Sequence, residues 1–192
     1  LITNDAVAQE PLRLIAHVCE NERPYTEVLT ADYMVVNPWS AVPYQAGIAF
    51  PDDDDFEDWR EAQNQGYRLP GYPHAGLLTS PMFLARYPST STNRNRARAR
   101  WTYYFFLGVD IESLSPRIVD PDALADTDNP TMNNVRCTVC HSVMDPVAGT
   151  FQDWADMGHY RVNDTDSLPW TYKATDPYEP GDLWYRDMRV PG

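Results

Sequence analysis

The motif formed by Cys137, Cys140 and His141 constrains this chain more than any other feature of its sequence. It reads Cys-x-x-Cys followed directly by His. In a helical turn, two thiols three residues apart can bond both vinyl groups at one edge of a single porphyrin, and the adjacent imidazole can then reach the iron. The motif therefore predicts one covalently bound haem c with His141 as an iron ligand.

Three other interpretations of the motif are weaker. A zinc site would need two further ligands, and the sequence holds no second Cys-x-x-Cys and no His-x₃-His. A redox-active dithiol is typical of a βαβ setting, which the sequence does not indicate. A disulfide between Cys137 and Cys140 would leave the adjacent His141 unexplained. We therefore favour haem attachment.

The second axial ligand of the iron would separate an electron carrier, which has a protein ligand there, from a haem with an open, reactive position. Met188 is the favoured ligand because it lies in a late, turn-rich segment, where small cytochromes c commonly place their methionine. His74, in a tight loop that leads into a helix, is the alternative. Met144 lies one helical turn beyond His141, on the same side of the haem, and is excluded.

The chain is strongly acidic. Fifteen Lys and Arg residues stand against 28 Asp and Glu residues, which gives a formal net charge of −13. Such a surface repels nucleic acid and anionic membranes. No apolar run approaches the roughly 18 residues of a membrane helix. We therefore expect no nucleic acid and no membrane span, and a redox protein or a further part of the same chain as the partner.

The sequence predicts a mainly α fold, cytochrome-c-like, with short helices and long irregular loops around one haem. Its 17 prolines break it into short elements. We expect the haem motif on a helix that Pro146 interrupts, a long loop over 110–134, and a single strand, Tyr33–Val36. The other expected helices cover residues 4–20, 24–31, 51–62, 77–87, 93–107 and 147–157.

The whole chain, 1–192, is predicted to be a single c-type cytochrome domain, with 1–70 as a helical lead-in and 71–192 as the haem-binding part. It begins at Leu1 without a signal peptide and ends in a segment that looks cut, so we expect a fragment of a longer chain. Haem is normally attached to such motifs outside the cytoplasm. The expected location is therefore periplasmic or extracellular.

Two charged runs allow a functional and a structural interpretation. Four alternating arginines could bind haem propionates, but we favour ion pairs between these arginines and the acidic surface. The four arginines are Arg94, Arg96, Arg98 and Arg100. The acidic run Asp52–Asp58 could bind calcium, but it lacks the glycine and the alternation of an EF-hand loop. We favour its placement at a helix N-terminus, where acidic residues are stabilised.

Segments 74–85, 93–101 and 137–154 together resemble the large planctomycete-type cytochrome c proteins, and 25–33 resembles the part that precedes their cytochrome segment. The resemblance implies an exported protein with more chain upstream, and it implies no established reaction. We expect electron transfer by a monohaem module that is not an enzyme by itself. The alternatives are a haem-dependent oxidoreductase with an open sixth site and a haem subunit of an extracellular assembly.

Overall fold

The computed structural model describes residues 1–63, 74–90, 93, 95–116, 121, 134–151, 154, 158 and 160. The chain divides into two compact units, Leu1–Arg86 and Tyr87–Gly192. The described residues are mainly helical, with short helices joined by loops, which confirms the predicted class. Across these ranges, none of the helices has both the length and the apolar character that crossing a membrane requires.

The first unit surrounds a small antiparallel sheet with helices. Its elements in chain order are α1 (Ile2–Glu20), α2 (Glu27–Thr30), β1 (Tyr33–Val36), α3 (Ala41–Tyr44), β2 (Arg60–Gln63), a 3-10 helix (Gly76–Thr79) and α4 (Pro81–Arg86). β1 pairs with β2 in a register that sets Tyr33 opposite Gln63 and Val36 opposite Arg60.

Strand β1 is buried on both faces, and its side chains alternate between two apolar clusters. Tyr33 and Val35 pack with Leu14 and Val18 of α1. Met34 and Val36 pack on the other face, with Ala41, Tyr44 and Ala62. The sequence prediction of this strand is confirmed.

The helix predicted over 51–62 is wrong. Asp52 and Asp55 form side-chain turns instead: their Oδ1 atoms accept hydrogen bonds from the backbone N–H of Asp54 and Glu57, both at 2.9 Å. Such local bonds compete with the helical pattern. Beyond these turns, residues 60–63 pair with β1 as β2, a strand that the sequence did not predict.

The 3-10 helix and α4 belong to the first unit. Gly76 has a positive φ of 47°, and its N–H donates to the Ala31 carbonyl at 2.8 Å. A Cβ at this position would collide with the Val28 carbonyl, so only glycine allows the close approach to α2. The first compact unit therefore extends to Arg86. The helical lead-in over 1–70 and the haem-binding part over 71–192 stay predictions. That the whole chain functions as one haem domain stays a prediction.

The second unit is built on two packed helices, α5 (Arg96–Leu107) and α6 (Val135–Thr150), with a 3-10 helix (Ile111–Ser113) beside them. The prediction that Pro146 interrupts the haem-motif helix is wrong, and no separate helix starts at 147. Proline has no backbone N–H, so Pro146 cannot donate the helical hydrogen bond to the Ser142 carbonyl in the turn before it. In that turn, the Tyr103 hydroxyl of α5 donates to the Val143 carbonyl at 3.2 Å, and the packing keeps α6 continuous.

A buried carboxyl group lies in the middle of α1. Glu10 is 1% exposed, and the Tyr44 hydroxyl donates a hydrogen bond to it. Burial raises the pKa of Glu10 from 4.5 to about 8, although the hydrogen bond from Tyr44 acts in the opposite direction. Glu10 is therefore protonated in the folded protein at neutral pH, whereas it is ionised in the unfolded chain.

Wild-type stability should fall as the pH rises from about 5 to 8, because the folded state holds a proton on Glu10 that the unfolded chain has released. Each unit of pKa difference corresponds to about 1.4 kcal/mol. Glu10→Gln should remove this part of the pH dependence, and Glu20→Gln, at an exposed position of α1, should keep it. Urea unfolding at pH 5 and pH 8 measures both, and equal pH slopes in wild type and Glu10→Gln would contradict the assignment.

Candidate functional site

Helix α6 presents the cysteines and the histidine of the motif on one face. The helix begins after Asn134, whose Oδ1 accepts a hydrogen bond from the Arg136 N–H at 3.0 Å, as an N-cap does. Cys137, Cys140 and His141 follow at helical spacings of three and four residues, which place side chains on one side of a helix. Both cysteines are free thiols of intermediate exposure. The motif thus lies on a helix, as expected, and its binding of haem stays a prediction.

A cavity of about 320 Å³ opens between α5 and α6. Cys140 and Met144 line it from α6, and Trp101 lines it from α5. The remaining lining residues are Arg96, Ala97, Arg100, Ile111 and Glu112. Its volume lies at the lower end of the range for small-molecule pockets. The cavity is lined by apolar and aromatic side chains, by two guanidinium groups and by one of the motif thiols.

The imidazole of His141 is oriented by a buried carboxylate. Its Nδ1 lies 3.0 Å from Oδ1 of Asp145, one helical turn later, and Asp145 is 0% exposed. The Arg96 guanidinium donates two bonds to the same carboxylate, at 2.8 Å to Oδ1 and 3.0 Å to Oδ2. Among the described residues, Nε2 of His141 makes no hydrogen bond.

The ionisation of Asp145 follows from these contacts. Burial alone would raise its pKa, but hydrogen bonds from His141 and Arg96 and the positive charge of Arg96 outweigh it and lower the pKa below the ordinary value. Because an ionised carboxylate can only accept a hydrogen bond, the proton of this contact lies on Nδ1 of His141. Asp145 was not among the predicted site residues, although its position four residues after His141 places it on the same side of the helix.

The thiol of Cys140 lies at the cavity wall, with its sulfur 3.6 Å from the Ile111 carbonyl oxygen. Burial raises its pKa, and Cys137 and Glu112 add to that shift. Zinc binding and dithiol exchange both use the thiolate, which these surroundings disfavour. In the parts of the chain that the structure describes, no three His, Cys, Asp or Glu side chains come together as a metal-ion site.

The arginine run divides between surface and core. Arg100 lies 3.3 Å from Asp110 and 2.5 Å from Glu112, so for Arg100 the favoured interpretation, ion pairs with the acidic surface, is confirmed. Arg96 pairs with Asp145, which is buried and does not belong to that surface. Arg98 instead is 0% exposed, an outcome that neither interpretation included. Arg94 lies outside the described residues.

Arg98 and Asn95 fasten the start of α5 to the chain beyond α6. Arg98 Nη1 donates to the Trp154 carbonyl at 3.0 Å, and its Nε donates to the Tyr87 carbonyl at 2.9 Å. Asn95 accepts a bond from Arg98 at 2.9 Å and donates to the Phe151 carbonyl at 2.9 Å. These buried bonds hold the helix that carries Arg96 against the helix that carries His141.

Of the two predicted candidates for the sixth ligand of the iron, the structure describes His74 and not Met188. Met188 lies outside the described residues. His74 lies in the first unit, with its Nδ1 3.0 Å from the Thr79 hydroxyl. Burial lowers the pKa of His74 to about 4, so the imidazole is neutral and able to act as a ligand.

The acidic run does not lie at a helix N-terminus, and the aromatic residues of α5 are only partly buried. The acidic residues Asp52–Asp55 are exposed, and two of them cap the turns described above. Of the aromatic segment 101–107, Trp101 lines the cavity, while Tyr104 and Phe105 are about half exposed. Trp101 stacks between Tyr87 and Phe105, with ring centroids 5.3 Å and 5.2 Å away.

Arg98→Ala should destabilise the second unit by about 3 kcal/mol, because it removes the hydrogen bonds that the buried Arg98 side chain donates to Trp154 and Tyr87. Arg136→Ala, at an exposed position of α6, should cost less than about 0.5 kcal/mol. Chemical denaturation, followed by the fluorescence of the aromatic cluster around Trp101, measures both changes. Equal losses in the two variants would contradict the structural role of Arg98.

No curated protein and no solved structure matches this chain. A family model does match residues 74–164, slightly less than half of the chain, and this region includes α5, α6 and the cysteine motif. The family is PSCyt3, described as a protein of unknown function (DUF1588). The predicted resemblance is confirmed at that level: the chain contains a region similar to a planctomycete cytochrome-c-associated domain.

Proposed function

We propose that this chain is an electron-transfer module that carries one haem c, bound through thioether bonds to Cys137 and Cys140 and through its iron to His141. The observation that carries the proposal is the arrangement on α6: two free thiols at a spacing of three residues and a neighbouring imidazole whose Nδ1 is engaged by Asp145. Haem bound there would supply an iron that accepts and releases one electron.

The surroundings of the motif suit a flat, apolar group with acidic edges. Trp101 and Ile111 would exclude water from the porphyrin face. Arg100, which lines the same cavity, would pair with a propionate in place of one of its present acidic partners. Iron would bind Nε2 of His141, and the hydrogen bond from Nδ1 to Asp145 would keep the ring proton on the other nitrogen.

We infer that the protein is exported, to the periplasm or beyond the cell, because haem attachment to this motif takes place there. It would act as a cytochrome-c-like part of a larger protein. Its net charge of −13 favours a basic redox partner over nucleic acid. Met188 is the proposed sixth ligand, and His74 is its alternative.

The haem proposal predicts a specific behaviour of cysteine variants made in a host that exports and haem-loads the protein. Cys137→Ser and Cys140→Ser should each retain haem through a single thioether bond, whose pyridine haemochrome spectrum differs from that of the wild type. The double variant should release its haem into acid acetone. Cys19→Ser, at an exposed cysteine outside the motif, is the matched control and should resemble wild type.

A second experiment decides the sixth ligand. With Met188 bound, the ferric protein should show a weak sulfur-to-iron absorption band at the red end of the visible spectrum, and Met188→Ala should abolish it and admit carbon monoxide to the ferrous form. Loss of a low-spin spectrum in His74→Ala alone would assign His74 instead. A wild-type protein that is already high-spin would contradict both ligands and favour an oxidoreductase with an open site.

A further inference from the structure

The strength with which Asp145 withdraws the Nδ1 proton of His141 depends on the charge of Asp145. A histidine ligand can donate its second ring N–H to water, to a backbone carbonyl or to a carboxylate. Here the acceptor is the side chain of Asp145, at 3.0 Å from Nδ1, and it is fully buried. A negatively charged acceptor withdraws the Nδ1 proton more strongly than a neutral carbonyl does.

Arg96 maintains both the charge and the orientation of that acceptor. Its two hydrogen bonds, at 2.8 Å and 3.0 Å, are the bidentate arrangement that a guanidinium makes with an ionised carboxylate. Arg96 is itself placed at the start of α5, which Asn95 and Arg98 anchor through buried bonds. The carboxylate is therefore held in place from a second helix, and its position does not depend on α6 alone.

Burial strengthens the electrostatic effect of the Asp145 carboxylate on the imidazole of His141. Water would screen an exposed acceptor, but the low dielectric of the interior strengthens the interaction between the carboxylate and the imidazole. Partial withdrawal of the Nδ1 proton makes Nε2 a stronger electron donor. A stronger donor stabilises ferric iron relative to ferrous iron.

We infer that Asp145, fixed by Arg96, is a positioning residue that gives His141 partial imidazolate character and lowers the reduction potential of the haem. This inference rests on the proposed function. It assigns the module to electron exchange at a lower potential than the same ligands would give with a neutral acceptor. It also gives Arg96 a structural role distinct from that of Arg100, which faces acidic partners at the surface.

The test compares two variants with the same change of chemistry, Asp145→Asn and Glu112→Gln. Each replaces a carboxylate by an amide of equal size. Glu112 lines the cavity beside the motif, but only Asp145 contacts His141. Asp145→Asn should change the ferric-to-ferrous ratio at a fixed potential tenfold or more in favour of ferrous iron, which equals a rise of about 59 mV for one electron. Glu112→Gln should produce a much smaller rise, because its side chain is 69% exposed.

Vibrational spectra of the ferrous carbon monoxide complex provide the readout that a general charge effect would not change. They are recorded in a Met188→Ala background, which admits carbon monoxide. The relation between the Fe–C and C–O stretching frequencies reports the donor strength of His141, and it should shift when Asp145→Asn is added to that background and stay unchanged when Glu112→Gln is added. Equal shifts of potential in the two variants, with unchanged vibrational spectra, would overturn the inference.

If Asp145→Asn does not fold, a measurement on the wild-type protein tests the imidazolate character of His141 directly. With ¹⁵N-labelled histidine in the diamagnetic, low-spin ferrous form, the Nδ1 resonance of His141 should lie toward the imidazolate position, and its proton should exchange slowly. A neutral imidazole signal would overturn the inference while leaving the proposed function intact. Absence of covalent haem in the wild type would instead remove the proposed function itself.

Discussion

The pairing of α5 with α6 depends on polar groups that are buried between them and satisfied by each other. Arg96 reaches Asp145 with two hydrogen bonds, and Arg98 with Asn95 reaches the carbonyl groups of Trp154 and Phe151. A buried charge without such partners costs several kcal/mol, so these bonds permit little displacement of one helix along the other. This constraint fixes the surroundings of the cysteine motif and the direction of its histidine.

The contacts between α5 and α6 also determine the ionisation of Asp145 and the orientation of His141. Asp145 lies in the interior because α5 covers it, and it stays ionised because α5 supplies Arg96. The ionised carboxylate then determines which ring nitrogen of His141 is available. A chain in which α5 were displaced would keep the cysteine motif, but it would lose the defined orientation of the imidazole. In this account, the helix that contains no motif residue controls how the motif functions.

The sequence could predict those parts of the fold and site that depend on local chemistry. The Cys-x-x-Cys-His spacing already places its side chains on one helical face, and the β-branched and aromatic residues of Tyr33–Val36 suit a buried strand. Strand β2 could not be predicted, because Arg60–Gln63 has no apolar alternation and becomes a strand only through pairing with β1. The continuity of α6 through Pro146, and the burial of Arg98 and Asp145, likewise depend on contacts with residues distant in sequence.

The central claim, that the motif holds a covalent haem, is tested most directly by mass spectrometry of the exported, haem-loaded protein. Under denaturing conditions the intact mass should exceed the polypeptide mass by one haem. After trypsin digestion, the added mass should lie on the peptide that begins at Cys137, directly after Arg136. An intact mass equal to the bare polypeptide, or to that of a chain with a Cys137–Cys140 disulfide, would contradict the account.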